Sequence, residues 1–350
     1  MIASSTSSRR NILVVGATGK QGGATVRALL VPGLGSPLDF HVWGLTRNTT
    51  GPLAKAIADD AGKLKAADRF QLVEGDLENA SSIRRVFESI AAEGGIWGVF
   101  VAIAFPGLGV KDDKEKDQGI MLADLALDFN VEAFVYSSAL QPSADTSVTP
   151  EHSRLSKQAI EKHIKSLTEK GLNWIIIQPG FFMENLGGMV GSIAVSIFLE
   201  GLKKDTTICL IASEDIGRVA GGVFANHEKY IHKVLGLAAD PLTAQQIVDA
   251  YQRGSGKPMM MVPSVLTKFL LWINADARGI IKDIETHQET RNTGAFPTFE
   301  EEVRLGSSVC KLQTFEEWVR AQKESSAAAA AATQSGWNKV SIVKLLTGRS

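Results

Sequence analysis

The sequence predicts an α/β protein built on a doubly wound parallel sheet. Short apolar runs in its first half do not alternate with polar residues, and helix-like segments separate them. Strands of that kind are buried on both faces, as in parallel sheets that are covered by helices. A cluster of glycines directly follows the first apolar run, where such folds turn tightly from strand to helix. These features favour successive βαβ units with right-handed crossovers.

Six strand-like segments follow one another in the first half of the chain. They are residues 11–15, 40–46, 69–76, 97–103, 133–138 and 173–180. Asn79 stands where it can cap the helix that follows the third strand. A helix is predicted from about 151 to 169, after the fifth strand. We interpret the charged residues 111–117 as a solvated loop after the fourth strand.

The regular alternation weakens after about residue 180, which indicates a second, smaller and mostly helical lobe. The apolar segment 259–273 is predicted to be a buried helix entered through Pro263. The predicted division is a flexible tail at 1–9, the main domain at 10–180 with returns from about 205–245, the smaller lobe at 181–322, and a low-complexity segment with the C-terminal tail at 323–350.

Composition excludes several classes of protein. Lysine plus arginine total 37 and aspartate plus glutamate total 38, so the net charge of −1 lacks the basic excess of a nucleic-acid binder. Two cysteines cannot form a disulfide framework or a cysteine-built zinc site, and we expect no metal. The chain has neither a secretory signal pattern nor a run of 18 apolar residues. We therefore expect a protein that does not bind membranes, located in the cytoplasm or the nucleus.

The glycine cluster GATGKQGG lies between the first strand and the first helix, as an NAD(P)-binding Rossmann fold requires. Gly16 permits the sharp turn, Gly19 lets the backbone approach a pyrophosphate, and Gly22 or Gly23 lets the helix pack closely. The N–H groups at the start of the helix then face the phosphates. The predicted cofactor contacts of this turn are Gly16, Thr18, Gly19, Lys20, Gln21 and Gly22.

The end of the second strand favours NADP(H) over NAD(H). An acidic residue at that position would bind the ribose 2′-hydroxyl of NAD, but here Arg47 follows the strand and suits a 2′-phosphate. Lys20 adds positive charge within the glycine turn. Asp76, directly after the third strand, is placed to accept a hydrogen bond from the adenine amine, or to stabilise the turn before Asn79.

Several further motifs occur in a fixed order along the chain. GATGKQGG, LTRN, VEGDL, FVYSSA, HSRLSK and IIIQPGFFMENL together resemble the NmrA-like family of atypical short-chain dehydrogenase/reductases, from about 11 to 320. The resemblance implies a Rossmann domain with a small C-terminal lobe. It also implies an oxidoreductase that reduces a small organic substrate in specialised (secondary) metabolism, related to isoflavone reductase-like enzymes. The alternative within the family is a non-catalytic NADPH/NADP⁺ redox sensor that acts as a transcriptional co-regulator through a protein partner.

The same resemblance indicates an incomplete catalytic set. Short-chain dehydrogenases use Ser, Tyr and Lys, with the tyrosine four residues before the lysine and acting as general acid. Lys157 and Ser138 match the lysine and the serine, but Ser153 stands in the tyrosine position. Lys157 would hold the ribose and assist proton transfer, while His152 is a candidate proton relay. Pro179, after the sixth strand, is placed beside the nicotinamide. The expected partners are a small-molecule substrate and either a protein partner or a second copy of the chain.

Overall fold

The computed structural model describes residues 10–31, 40–103, 114–141 and 152–329, without the side chains of 152–153 and 326–329. The described residues form two sheets. Their strands are β1 (Arg10–Val15), β2 (Phe40–Thr46), β3 (Phe70–Glu74), β4 (Gly98–Val101), β5 (Ala133–Ser137), β6 (Trp174–Pro179), β7 (Phe181–Phe182), β8 (Thr207–Ile211), β9 (Val234–Leu237) and β10 (Asp240–Thr243).

Helices connect and cover these strands. They are α1 (Lys20–Leu30), α2 (Pro52–Lys63), α3 (Ala80–Ala92), α4 (Lys114–Asp128), α5 (His152–Ser166), α6 (Gly188–Gly201), α7 (Ser213–Ala225), α8 (His227–Tyr230), α9 (Ala244–Ser255), α10 (Ser264–Ile273), α11 (Ala275–Asn292), α12 (Phe299–Ser307) and α13 (Phe315–Ala329). Short 3-10 helices occupy Ala67–Arg69, Thr168–Lys170 and Met183–Leu186.

The main sheet has seven parallel strands in the order β3-β2-β1-β4-β5-β6-β9. The chain winds outward from β1 in one direction and from β4 in the other. The order therefore reverses between β1 and β4, and such a switch point opens a crevice at the carboxyl ends of the strands. This topology confirms the predicted doubly wound α/β fold. A second sheet of three strands has the order β10-β8-β7.

Both faces of the main sheet are buried, which explains why its strands do not alternate. Ile12 and Val14 pack in one core with side chains of α1, α2 and α7. Leu13 and Val15 pack in a second core with side chains of α3, α4 and α5. Successive residues of β1 thus face opposite helical layers, and both layers are apolar.

Helix α7 packs unusually close to α1. A Cβ on Gly217 would lie 2.3 Å from the carbonyl carbon of Ala24, and a Cβ on Gly221 would lie 3.3 Å from the Cβ of Ala28. From the first contact to the second, the residue number rises by four on both helices, so the helices run in the same direction. Their N-termini therefore lie side by side at the same edge of the sheet.

A separate core forms in the C-terminal half. Met183 and Leu186 pack there with Phe198 of α6, Ile247 of α9 and Phe315 of α13. This region is mostly helical, as predicted for the second lobe. The boundaries between the lobes stay a prediction.

The apolar segment at 259–273 departs from its prediction. Pro263 directly precedes α10, as expected, but the helix is not buried: Val265 is 83% exposed and Trp272 75% exposed. Thr267 and Leu270 face inward, and α10 packs mainly against α6. The apolar side chains of α10 point in several directions, whereas within the described part of the chain most of them are exposed. No helix in the described part of the chain has the length and apolar character needed to cross a bilayer.

Candidate functional site

The glycine turn has the geometry that binding of a pyrophosphate requires. Gly16 has a φ of +81°, which side chains disfavour, and a Cβ there would lie 2.3 Å from the carbonyl oxygen of Ala102. A Cβ on Gly22 would lie 2.1 Å from the carbonyl oxygen of Gly16, so Gly22, rather than Gly23, permits the close packing of helix on turn. Among the described residues, the only atom within 4 Å of a Cβ on Gly19 would be the Gly16 oxygen, at 3.2 Å.

Helix α1 begins immediately at this turn. Gly19 is its N-cap and supplies no side-chain acceptor to the first helical N–H groups. Those groups have no partner within the helix, and the helix dipole places partial positive charge on them. The turn therefore presents an uncapped helix N-terminus at the carboxyl edge of the sheet, which is a ready-made anion site.

The other predicted residues of the turn have different surroundings. The hydroxyl of Ser137, at the end of β5, donates a hydrogen bond to Oε1 of Gln21 at 2.6 Å. This bond joins the start of α1 to the carboxyl end of β5, an interior strand of the main sheet. Thr18 is half-buried and Lys20 is exposed. Desolvation of its ammonium lowers the pKa of Lys20, and the nearby carboxylate of Glu184 acts in the opposite direction.

Glu184 is a residue that the sequence analysis missed. Its Oε1 accepts a hydrogen bond from the backbone N–H of Ser213 at 2.8 Å, which caps the start of α7. Its Oε2 is buried and has no hydrogen-bond partner among the described residues. Burial raises the pKa of this carboxyl group. Because α7 begins beside α1, a half-buried acid lies next to the predicted pyrophosphate position.

A cleft of about 340 Å³ opens at the ends of β2 and β3. Its lining residues are Arg47, Val73, Glu74, Gly75, Asp76, Ser82, Arg85, Val86 and Ser89. The structure thus brings Arg47 and Asp76 to one cavity, next to the glycine turn along the sheet edge. Oδ1 of Asp76 accepts a hydrogen bond from the N–H of Glu78 at 3.0 Å, so this residue also stabilises its turn. Asn79 caps α3 as predicted, accepting from the N–H of Ser82 at 3.1 Å.

Lys157 is not an ordinary surface lysine. Its ammonium forms an ion pair with the carboxylate of Glu115, and the side chains are 15% and 3% exposed. Glu115 lies in the charged run 111–117, which we interpreted as a solvated loop. A loop is wrong for residues 114–117, because α4 begins at Lys114. Lys114, Lys116 and Asp117 are exposed as expected, whereas Glu115 is buried. Residues 111–113 lie outside the described residues.

Ser138 is hydrogen-bonded to a second buried carboxylate. Its hydroxyl donates a hydrogen bond to Oε1 of Glu161 at 2.5 Å. The amide of Gln178 donates to the same oxygen at 3.0 Å, and Lys165 pairs with Oε2 at 3.5 Å. The sequence signal for Glu161 is its place four residues after Lys157, one helical turn further along the same face of α5.

Tyr136 lies between these carboxylates. It is fully buried, and its hydroxyl makes no hydrogen bond with the described residues. Burial raises the pKa of Tyr136 well above its usual value, and the charges of Glu115 and Glu161 add to that effect. The phenol of Tyr136 is therefore held in its neutral form at neutral pH.

Of the two remaining predicted residues, only Pro179 has a described side chain. His152 begins α5, but its side chain lies outside the described residues. Pro179 ends β6 and is buried. The next residue, Gly180, is packed so tightly that a Cβ would lie 2.3 Å from the carbonyl oxygen of Cys209. The structure therefore places Pro179 at the sheet edge with the other candidates, where β6 passes toward the second lobe.

Comparison with known proteins gives a family and a group of relatives. The model of the NmrA-like family matches residues 8–319. The chain is 30% identical over 276 residues to the NmrA-like family domain-containing oxidoreductase cpsB of Aspergillus campestris, covering 73% of this chain and 76% of that protein. It is 28% identical over 282 residues to the NmrA-like family domain-containing oxidoreductase hkm9 of Aspergillus hancockii, covering 73% and 75%.

Solved structures share the fold at low sequence identity. The NADPH-dependent quinone oxidoreductase QOR2 of Escherichia coli, solved with NADPH, has a TM-score of 0.60 at 18% identity, covering 89% of this chain and 99% of that one. A nucleoside-diphosphate-sugar epimerase from Staphylococcus aureus has a TM-score of 0.59 at 17% identity, with the same coverage. At these identities the likeness shows the fold alone.

Proposed function

Because this chain belongs to the NmrA-like family, we propose that it is an NADP(H)-binding oxidoreductase that reduces a small organic substrate in a specialised metabolic pathway. The observation that carries the proposal is the continuous row of predicted cofactor residues along the carboxyl edge of the main sheet. An uncapped helix N-terminus follows Gly19, and Arg47 lines the adjacent cleft with Asp76. The residues present suit a dinucleotide, since no described residue fills the space in front of Gly19, whereas backbone atoms fill the space beside Gly16 and Gly22.

Each residue has a defined task in this proposal. The first N–H groups of α1 bind the pyrophosphate, and Gln21 is held in place by Ser137. Arg47 binds the 2′-phosphate, and Asp76 accepts from the adenine amine. When bound, the nicotinamide supplies a hydride. Lys157, fixed by Glu115, holds the ribose and assists proton transfer, with Ser138 and His152 as candidate proton relays and Pro179 lining the nicotinamide end.

A second candidate function rests on the state of the catalytic set. Ser153 stands where a proton-donating tyrosine belongs, and the hydroxyl of Ser138 is bound to a buried carboxylate. A protein with this arrangement binds the cofactor and lacks a ready proton donor. The alternative is therefore an NADPH/NADP⁺ redox sensor that controls a protein partner.

Replacing Arg47 by alanine should weaken NADPH binding about tenfold or more and leave NADH binding nearly unchanged. Arg47 is exposed and forms no ion pair with the described residues, so its loss removes a phosphate ligand without disturbing a structural contact. Calorimetric titration of both cofactors measures the two effects. Equal weakening of NADPH and NADH would remove the reason for preferring NADP(H).

Two measurements separate the enzyme from the sensor. A sensor can shift its conformation only by its differential affinity for the two redox states. A large affinity difference between NADPH and NADP⁺, with no NADPH oxidation across a panel of carbonyl and enone compounds, would favour the sensor. Similar affinities together with substrate-dependent oxidation of NADPH would support the enzyme.

A further inference from the structure

We propose that Arg85, on α3, is a second cation for the 2′-phosphate of NADP(H), acting opposite Arg47. The proposal rests on the proposed cofactor and adds a specificity residue to it. Arg47 follows β2, whereas Arg85 lies on the helix that follows β3, so the two reach the same 340 Å³ cleft from different elements. Neither the glycine motif nor the residue after β2 points to α3, so Arg85 was not among the residues predicted from the sequence.

Helix α3 presents one polar face to this cleft. Ser82, Arg85 and Ser89 line it and are separated by three and four residues, which places them in one row along the helix. Buried residues such as Ile83, Phe87 and Ile90 fix the opposite face in the core. The rotation of α3 is therefore set by packing, and it directs Arg85 toward the cleft.

The surroundings of Arg47 and Arg85 favour the binding of an anion between them. Both are exposed, and neither forms an ion pair with another described residue. Their neighbour Arg84 differs: it pairs with Asp128 at 2.7 Å and lies 5.9 Å from the ring centre of Phe129. Two guanidinium groups that line one cleft and have no ion-pair partner among the described residues are stabilised when an anion binds between them.

The acids of the cleft do not exclude this assignment. Glu74 and Asp76 also line it, so its titratable side chains comprise two cations and two anions. Oδ1 of Asp76 is bound to the N–H of Glu78, which holds that carboxylate at its turn. A ligand with an amino-substituted base and a phosphate would place donors toward the acids and its phosphate toward the guanidinium groups. The 2′-phosphorylated adenosine end of NADP(H) has both groups.

The test compares Arg85→Ala with Arg84→Ala in the full chain. We expect Arg85→Ala to weaken NADPH binding about tenfold and to change NADH binding less than twofold, whereas Arg84→Ala leaves the NADPH to NADH affinity ratio unchanged. Arg85→Lys should retain part of the preference, since the charge remains and the planar fork is lost. Titration with 2′,5′-ADP and 5′-ADP isolates the adenosine end, and Arg85→Ala should weaken binding of only the former. Thermal unfolding midpoints verify that each variant is folded.

Different results of this test would contradict the role of Arg85 or the proposed function as a whole. If wild type prefers NADPH and Arg85→Ala keeps the full preference, or weakens NADPH and NADH equally, Arg85 is not a ligand of the 2′-phosphate. If wild type binds none of these nucleotides, the proposed function fails and this inference fails with it. Loss of the NADPH preference in Arg85→Ala, deepened in the Arg47→Ala/Arg85→Ala variant, supports the assignment.

Discussion

Gly19→Val should abolish dinucleotide binding and leave the protein folded. Gly19 has a φ of −86° and a ψ of 172°, a conformation that valine adopts readily. Of the described atoms outside the neighbouring residues, a Cβ would meet only the oxygen of Gly16, at 3.2 Å. The branched side chain would instead occupy the space in front of the α1 N-terminus, where the pyrophosphate binds. We expect a rise in Kd of at least a hundredfold, about 2.7 kcal/mol.

Two other glycines provide the controls for this experiment. A Cβ on Gly62, near the end of α2, would meet no described atom within 4 Å beyond its own helix, so Gly62→Val should leave both folding and binding unchanged. Gly22→Ala should instead destabilise the turn, because its Cβ would lie 2.1 Å from a backbone oxygen. If Gly19→Val is folded and binds NADPH like wild type, the pyrophosphate lies elsewhere.

Lys157→Ala should destabilise the fold by about 3 kcal/mol, in addition to any effect on turnover. It would leave the carboxylate of Glu115, 3% exposed, without its counterion, and Oε2 of Glu115 already lacks a partner among the described residues. Urea unfolding of wild type and variant measures the loss. Lys162→Ala is a matched control on the same helix, where an exposed lysine should contribute less than about 0.5 kcal/mol.

A double variant separates the structural and catalytic roles of Lys157. Lys157→Met with Glu115→Leu removes both charges and should recover much of the lost stability, because a buried ion pair can be replaced by packed apolar residues. A stable double variant that binds NADPH weakly and lacks turnover would support Lys157 as a cofactor ligand. Equal stability of Lys157→Ala and Lys162→Ala would show that the pair with Glu115 contributes nothing to folding.

The fold and the common sheet edge of the candidate residues could be predicted from the sequence because both depend on local patterns. Apolar runs indicate the strands, and parallel strands bring Gly16, Arg47 and Asp76 to one edge by topology alone. The polar partners could not be predicted in this way. Lys157 and Glu115 are 42 residues apart, and nothing local distinguishes Glu115 from its charged neighbours. The exposure of α10 likewise depends on which tertiary neighbours exist, not on its composition.

The same reasoning explains which site residues were missed. Arg85 belongs to no quoted motif, and Glu184 lies within IIIQPGFFMENL without any sequence feature that marks its role. Their positions depend on how α3 and α7 pack against the sheet edge. Arg84 and Arg85 are adjacent in sequence and differ only in the direction that the helix gives them. One pairs with Asp128, and the other lines the cleft. Packing therefore decides which of two identical residues is available to a ligand.

Calorimetric titration of the wild-type chain with NADPH and NADH at one salt concentration tests the central claim most directly. We predict that NADPH binds at least tenfold more tightly, a difference of about 1.4 kcal/mol. Equal affinities would contradict the role of Arg47 and the choice of NADP(H). No binding of either form would contradict the assignment of the glycine turn as a dinucleotide site.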